Sequence, residues 1–130
     1  HALGLRMRWI KEWDPRKGVD AAQLAEIKRT LLRGRPVTGG FLWPKEPRWE
    51  GGVLQMCPRD VVHDGHSVLL AGFTDDPAKP GGGTFIIRDS GRGGPEGFLT
   101  YEYVSAYMND AASVESPESA APCAGGKNGA

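Results

Sequence analysis

The order of apolar and polar positions predicts one well-defined helix near the start of the chain. Four apolar residues recur at the spacing of a single helical stripe: Leu24, Ile27, Leu31 and Leu32. We place this helix at about residues 21–33. Asp20 and Gln23 have the spacing of a capping box, and Gly34 suits the position just beyond the last turn.

Other segments have the patterns of strands. In residues 4–11 apolar and basic side chains alternate, which predicts a half-buried strand with Leu5, Met7 and Trp9 on its apolar side. Three further runs are rich in apolar and β-branched residues and predict strands: VTGGFLW at 37–43, HSVLLAGFTDD at 66–76 and TFIIRDS at 84–90. Phe98 and Leu99 resume apolar structure, and Thr100 is a suitable cap for a short helix over 100–108.

Two segments lack a sustained period. Residues 43–64 contain three prolines and predict a long loop, in which Trp43 and Trp49 favour ordered packing or a binding wall. Residues 111–130 have almost no large hydrophobic side chains and predict a low-complexity tail, which leaves 1–110 as the domain. We therefore expect an α+β fold, an antiparallel, barrel-like and partly closed sheet with one main helix.

Composition narrows the classes of function. The 130 residues include 16 basic and 16 acidic side chains, so the formal net charge is zero. Binding to nucleic acid or an anionic membrane draws on a clustered basic excess, so we expect neither partner. No apolar run approaches the ~18 residues that span a bilayer, and no secretory signal is evident, so a soluble globular domain is expected. We expect no cofactor.

A histidine and an aspartate stand where chemistry can occur. His66 opens one predicted strand and Asp89 ends the next, so a hairpin through 75–83 brings them side by side. A carboxylate on one imidazole nitrogen leaves the other nitrogen available as a base, whereas the alternative is a buried structural pair. His63 and His66 could also be considered as zinc ligands, together with Asp60, Asp64 and Cys57. A strand that begins at His66 disfavours the convergence of the two histidines, and we expect no metal.

Four segments in order resemble the C-terminal lobe of papain-like cysteine peptidases. The run GHSVLLAGFTDD at 65–76 is similar to the family's G-H-A-V-x-I-V-G-Y-D-D, and FIIRDSG at 85–91 is similar to F-x-I-x-N-S-W-G. The run GPEGFLTYEYV at 94–104 resembles W-G-x-x-G-Y-x-x-x-x-Y-x, and IKRTLLRGRPV at 27–37 resembles I-K-x-A-L-x-x-G-x-P-V. The resemblance covers about residues 5–108 and implies half of a papain-like fold.

The resemblance implies roles for particular residues. His66 would be the general base, and Asp89 would orient it from the position where the family has asparagine. Trp43, Gly65 and Gly91 would contribute to substrate binding, with Gly91 standing where the family has tryptophan.

The nucleophile-bearing half of that family has no counterpart here. Cys57 precedes the histidine strand and Cys123 lies in the predicted tail, so neither matches the family's nucleophile. The resemblance therefore implies the His-bearing half of a peptidase, inactive alone, acting on a peptide or protein with a Cys-bearing N-terminal lobe or second chain. The alternative is a catalytically inactive binding or regulatory module of the same fold.

Overall fold

The computed structural model describes residues 6–88 and 97–115. Its strands are β1 Arg6–Lys11, β2 Val37–Pro44, β3 Trp49–Glu50, β4 Val53–Leu54, β5 Val62–Asp75, β6 Gly83–Arg88, β7 Gly97–Thr100 and β8 Ala111–Glu115. Its helices are α1 Ala21–Leu32 and α2 Tyr101–Tyr107, and two 3₁₀ turns span Arg59–Val61 and Pro80–Gly82. Neither described helix has the length and apolar character needed to cross a bilayer.

The strands form one open sheet in the order β1-β8-β2-β5-β6-β7-β4-β3. All neighbours are antiparallel except β4 and β7, which run parallel. The α+β class is confirmed, but the sheet does not close into a barrel, because β1 and β3 end it on opposite sides. The expectation of a barrel-like sheet is corrected accordingly.

Helix α1 has the local features that its sequence predicts. The Asp20 side chain accepts a hydrogen bond from the Gln23 backbone, and the Gln23 side chain accepts one from the Asp20 backbone, so the capping box is complete. Ile27 is fully buried in the core, whereas Leu32 at the end of the predicted stripe is exposed. Gly34 follows the helix with φ of +82°, the left-handed conformation that glycine adopts most readily.

The hairpin through residues 75–83 is confirmed. Strands β5 and β6 pair antiparallel from Asp75 opposite Gly83 to Leu69 opposite Arg88. Strand β5 begins at Val62, four residues before the predicted start. Its almost continuous apolar run predicts a strand buried on both faces or inside a barrel. Burial instead alternates at its centre, where Val68 and Leu70 are buried and Ala71 is exposed.

Strand β8 is formed by residues 111–115, which the sequence predicts to be part of the low-complexity tail. It lies between β1 and β2, with Val37 opposite Ser113 and Trp9 opposite Ala112. Ala111, Ala112 and Ser113 are all buried, and their small side chains explain why no hydrophobic pattern marks them. Residues 116–130 lie outside the described part of the chain, so the tail prediction for them stays a prediction.

The predicted apolar side of strand β1 is not buried: Met7, Arg8 and Trp9 are all exposed, and burial begins only beyond the register shift between Trp9 and Lys11. Met7 and Trp9 are 53% and 51% exposed, whereas Lys11 is only 6% exposed. The Lys11 ammonium donates hydrogen bonds to the carbonyls of Asn109 at 2.6 Å, and of Glu12 and Asp14 at 3.3 Å each. Burial lowers the pKa of Lys11, and the three carbonyls replace the water that its ammonium loses.

The segment predicted as a long loop contains a small hairpin. Strands β3 and β4 pair with Trp49 opposite Leu54 and Glu50 opposite Val53. Gly51 and Gly52 connect them with φ of +59° and +80°, the positive angles that a two-residue hairpin turn of type I′ requires. This glycine pair is the sequence signal for the hairpin, although the segment around it has no sustained hydrophobic period.

Helix α2 begins where the sequence predicts, with the Thr100 hydroxyl accepting from the Tyr103 backbone. It carries the three tyrosines of the chain. Their hydroxyls donate to three separate segments: Tyr101 to Asp75 at 2.6 Å, Tyr103 to the Leu42 carbonyl at 2.7 Å and Tyr107 to the Cys57 carbonyl at 2.6 Å. Burial is the main cause that raises the pKa of each phenol.

Replacing Lys11 by methionine should destabilise the fold. The change removes the ammonium from the carbonyls of Asn109, Asp14 and Glu12, and the Asn109 carbonyl keeps only the Asp14 amide as a donor. A hydrogen bond from a charged group contributes about 1.5–3 kcal/mol, so we expect a loss of this size. Urea unfolding of Lys11→Met measures the loss. Lys17→Met is the matched control, because Lys17 is exposed and its removal should change stability by less than about 0.5 kcal/mol. Equal stability of both variants would contradict the role given to Lys11.

The tyrosines predict a loss of stability at alkaline pH. A phenol whose pKa is raised by folding contributes stability that is fully present below about pH 10 and is lost as the pH rises toward the folded value. Phenolate absorbance should therefore rise together with loss of tertiary circular dichroism, whereas the chain in urea should ionise near the ordinary value. All three tyrosines lie on α2, so the absorbance reports on this helix alone. Ionisation at the ordinary pKa in the folded chain would contradict this account.

Candidate functional site

The candidate site is built around two stacked rings. The imidazole of His66 on β5 lies on the indole of Trp43 on β2, with ring centroids 4.2 Å apart and planes inclined by 26°. Trp43 is buried and His66 is partly exposed, so the indole supports a ring that solvent or a ligand can reach. Such a stack fixes the plane of the imidazole and contributes about 0.5–1.5 kcal/mol beyond burial.

A β-bulge sets the position of His66. Phe41 stands opposite His66 and Trp43 stands opposite His63, so β5 has one more residue than β2 in this interval. Gly65 lies within the interval with φ of +95°, and a Cβ at this position would meet no atom within 4 Å. Bulges are frequent beside functional sites because they re-aim a side chain. The role of Gly65 in this geometry is therefore to shape the backbone.

Helix α2 packs against Trp43 and so supports the His66–Trp43 stack. The ring of Tyr103 meets Trp43 edge-on at 6.1 Å, and the Tyr103 hydroxyl donates to the carbonyl of Leu42, the residue before Trp43. Phe41 contacts Trp43 edge-on at 6.3 Å from the same strand. Trp49 on β3 lies 6.3 Å from Trp43 and is partly exposed. Trp43 is thus held on several sides, as the sequence prediction of ordered packing requires.

A groove adjoins the stack along the same pair of strands. Beyond Trp43 the ladder continues with Pro44 opposite Val62, and then the Lys45 amide donates to the Val61 carbonyl at 2.9 Å. The groove has a volume of about 430 Å³. Its lining residues come from the two segments that flank the small hairpin: Pro44, Lys45, Glu46, Arg48, Met56, Cys57, Pro58 and Val61.

Cys57 lines this groove, but its environment does not activate it. Burial raises the pKa of the Cys57 thiol, and the nearby carboxylate of Asp60 raises it further. The thiolate is the nucleophilic form of cysteine, so a raised pKa keeps this side chain in the unreactive form at neutral pH. That Cys57 is not a nucleophile stays a prediction.

Several predicted site residues cannot be placed. Asp89 and Gly91, as well as Cys123, lie outside the described residues. The hydrogen bond between His66 and Asp89 therefore stays a prediction, although the β5–β6 hairpin on which it depends is present. Among residues 6–88 and 97–115, no three histidine, cysteine, aspartate or glutamate side chains could together hold a metal ion.

Sequence reasoning missed the residues that position the site. Tyr103 and Tyr107 appear in the sequence only as apolar members of a short helix, and nothing local indicates which carbonyls accept from their hydroxyls. No local pattern in the sequence indicates the groove, because its lining residues lie on both sides of the hairpin at Gly51 and Gly52. That glycine pair was the one signal that could have brought the two sides together.

Comparison with known proteins gives one relative. No model of a known protein family matches the sequence. The chain is 30% identical over 118 residues to an aspartate/glutamate leucyltransferase of Rhizorhabdus wittichii, a match that covers 87% of this chain and 44% of the relative. The chain thus spans less than half the length of the curated relative that it matches.

This comparison overturns the predicted reaction. The relative is a transferase, so the prediction of a cysteine peptidase half that hydrolyses peptide bonds is wrong, together with its classification as a hydrolase. The resemblance to the papain-like lobe rested on segments that form the helix-to-strand junction and the β5–β6 hairpin, which specify chain geometry and no particular reaction. The predicted partners, a Cys-bearing lobe or chain and a peptide or protein substrate, stay predictions.

Substitution of Gly65 should test the bulge. Alanine at a left-handed position is disfavoured by about 1–2 kcal/mol, and no side-chain clash adds to this cost. Urea unfolding of Gly65→Ala should show that loss. Gly40→Ala on the adjoining strand is the control, because Gly40 has no positive φ and its new Cβ would lie 3.6 Å from Asp110, an ordinary contact. A Gly65→Ala variant as stable as Gly40→Ala would exclude the bulge geometry.

Proposed function

We propose that this chain carries out aminoacyl transfer with a histidine as the proton acceptor, and that the group transferred is leucyl. The similarity to an aspartate/glutamate leucyltransferase, which extends over 87% of this chain, carries the proposal. The partly exposed His66 ring on Trp43, next to an open groove, supplies a site suited to acyl transfer.

The acceptor follows from elementary chemistry. Aspartate and glutamate each have a single amino group, so an acyl group transferred to nitrogen forms an amide at the α-nitrogen. Within a peptide that nitrogen is free only at the first residue. We propose that the acceptor is a peptide or protein whose first residue is acidic. A free carboxylate lacks the leaving group that amide formation requires, so the leucyl carboxyl must be activated, and we propose that the donor is an ester.

The reaction is a nucleophilic substitution at the ester carbonyl. The neutral α-amine attacks the carbonyl carbon, a C–N bond forms, and the C–O bond to the donor alcohol breaks. His66 accepts the proton that the amine nitrogen loses and returns it to the departing alkoxide. The stack on Trp43 keeps the imidazole in one plane, which a positioned base requires. Asp89 would orient the imidazole if the predicted pair forms.

The architecture is proposed separately from the reaction. We propose that β2, β5, β6 and β7 with α1 correspond to the C-terminal lobe of papain-like proteins. The support is the order of the four sequence segments and the antiparallel ladder from β2 through β7. Fold and reaction are separable, so this relationship implies no peptide hydrolysis.

The proposed reaction is tested by a mass assay. The full chain is incubated with a leucyl ester and a peptide that begins with aspartate, and addition of one leucyl residue at the α-nitrogen is expected. A peptide that begins with asparagine, and an acetylated one, should gain none. His66→Gln should lower the rate by about 10²-fold or more, since a positioned general base contributes about that much.

His63→Gln is the matched control for the histidine. His63 lies on the same strand across the bulge and outside the Trp43 stack, and its replacement should leave the rate within about twofold of the original. Two outcomes would contradict the proposal: no leucyl addition by the folded chain, or equal rates for the two histidine variants.

A further inference from the structure

The groove beside the Trp43–His66 stack has an apolar floor that the fold itself does not cover. Met56 and Val61 are each 40% exposed, and both line this groove. They are two of the few large hydrophobic side chains left accessible in the described residues. A concave site of about 430 Å³ is within the usual range for pockets that bind small ligands.

The walls of the groove are fixed before any ligand arrives. The Lys45 amide donates to the Val61 carbonyl, and the Gln55 amide donates to the Arg48 carbonyl, each at 2.9 Å. The Tyr107 hydroxyl holds the Cys57 carbonyl at 2.6 Å from helix α2. A ligand would therefore meet a formed cavity and would lose little affinity to ordering of the protein.

The rim carries a carboxylate that the fold does not use. Three charged side chains line the groove, Lys45, Glu46 and Arg48. Arg48 pairs with Glu50 at 3.3 Å, whereas neither Glu46 nor Lys45 has a side-chain hydrogen bond or ion pair within the described residues. An apolar floor beside an unpaired carboxylate complements a ligand that has an aliphatic side chain next to a cation. An α-aminoacyl ester has this arrangement, since its ammonium is one carbon from its side chain and its carboxyl carries no charge.

We propose that this groove binds the aliphatic aminoacyl donor, with its side chain against Met56 and Val61 and its α-ammonium at Glu46. This inference rests on the proposed transferase function and assigns the donor to one place. The ladder from His66 through Trp43 and Pro44 leads directly into the groove, so the donor would lie beside the proposed base. Peptide acceptors would then approach from the open side of His66.

Methionine methyl resonances can report on the groove directly. The chain has three methionines, of which Met56 lines the groove, Met7 is exposed on β1 and Met108 is fully buried. Leucinamide is the probe, because it keeps the ammonium and side chain of a leucyl ester and does not hydrolyse readily. Titration into the full chain labelled with ¹³C-methyl methionine should shift Met56 saturably and leave Met7 and Met108 in place. N-acetyl-leucinamide and glycinamide should shift nothing.

Two variants test the contacts. Glu46→Gln should weaken leucinamide binding by about fivefold, the upper range for an exposed ion pair. Glu12→Gln removes the same charge at the other end of the sheet, where Glu12 is exposed, and should leave binding unchanged. Val61→Ser should weaken binding of leucinamide by removing apolar contact. Binding that is equally strong to N-acetyl-leucinamide, or unaffected by Glu46→Gln, would overturn the proposed donor site.

The two proposals fail in distinguishable ways. If leucinamide shifts Met56 as described but no leucyl addition occurs, the groove stands as a binding site for an aliphatic α-amine, and the transferase function fails. If leucyl addition depends on His66 while leucinamide leaves Met56 unshifted, the transferase function stands and the donor groove is excluded.

Discussion

The three tyrosine hydroxyls of helix α2 are the constraint on which most of this structure depends. Each is directed into the protein, where an unpaired hydroxyl would cost about 1–3 kcal/mol, and each finds its acceptor on a different segment. The end of β5, the middle of β2 and the wall of the groove are therefore positioned against one helix of seven residues. A shift of α2 would break all three bonds together.

This shared support connects the His66–Trp43 stack with the groove. Tyr103 holds the carbonyl of Leu42 immediately before Trp43, and Tyr107 holds the carbonyl of Cys57 within the groove wall. The two tyrosine rings also contact each other, with centroids 5.0 Å apart. The stack that orients His66 and the cavity beside it are thus rigid with respect to each other, although their residues come from distant parts of the sequence. Acyl transfer benefits from such fixed geometry.

Local signals in the sequence were sufficient where neighbouring residues determine the structure. Asp20 and Gln23 predicted the start of α1, because both halves of a capping box lie within one turn. The hydrophobic pattern of the sequence predicts burial only for residues with large apolar side chains. Lys11 is buried where its ammonium meets the carbonyl of Asn109, 98 residues along the chain, and no pattern within β1 carries that information. His66 was identified as a candidate, but its support from Tyr103 depends on long-range packing. The reaction was mispredicted because segments such as 27–37 specify a helix-to-strand turn rather than chemistry.

The place of β8 also determines when the sheet can be completed. Strand β8 lies between β1 and β2, yet among the strands of residues 6–88 and 97–115 it is the last that the ribosome makes. Until residues 111–115 emerge, β1 has no neighbour to pair with, and the ladder between β2 and β8 cannot form. Contacts between such distant parts of a chain have a larger entropic cost of loop closure, and they slow the folding of a domain. During synthesis β1, which carries Met7 and Trp9, therefore stays unpaired until β8 has been made.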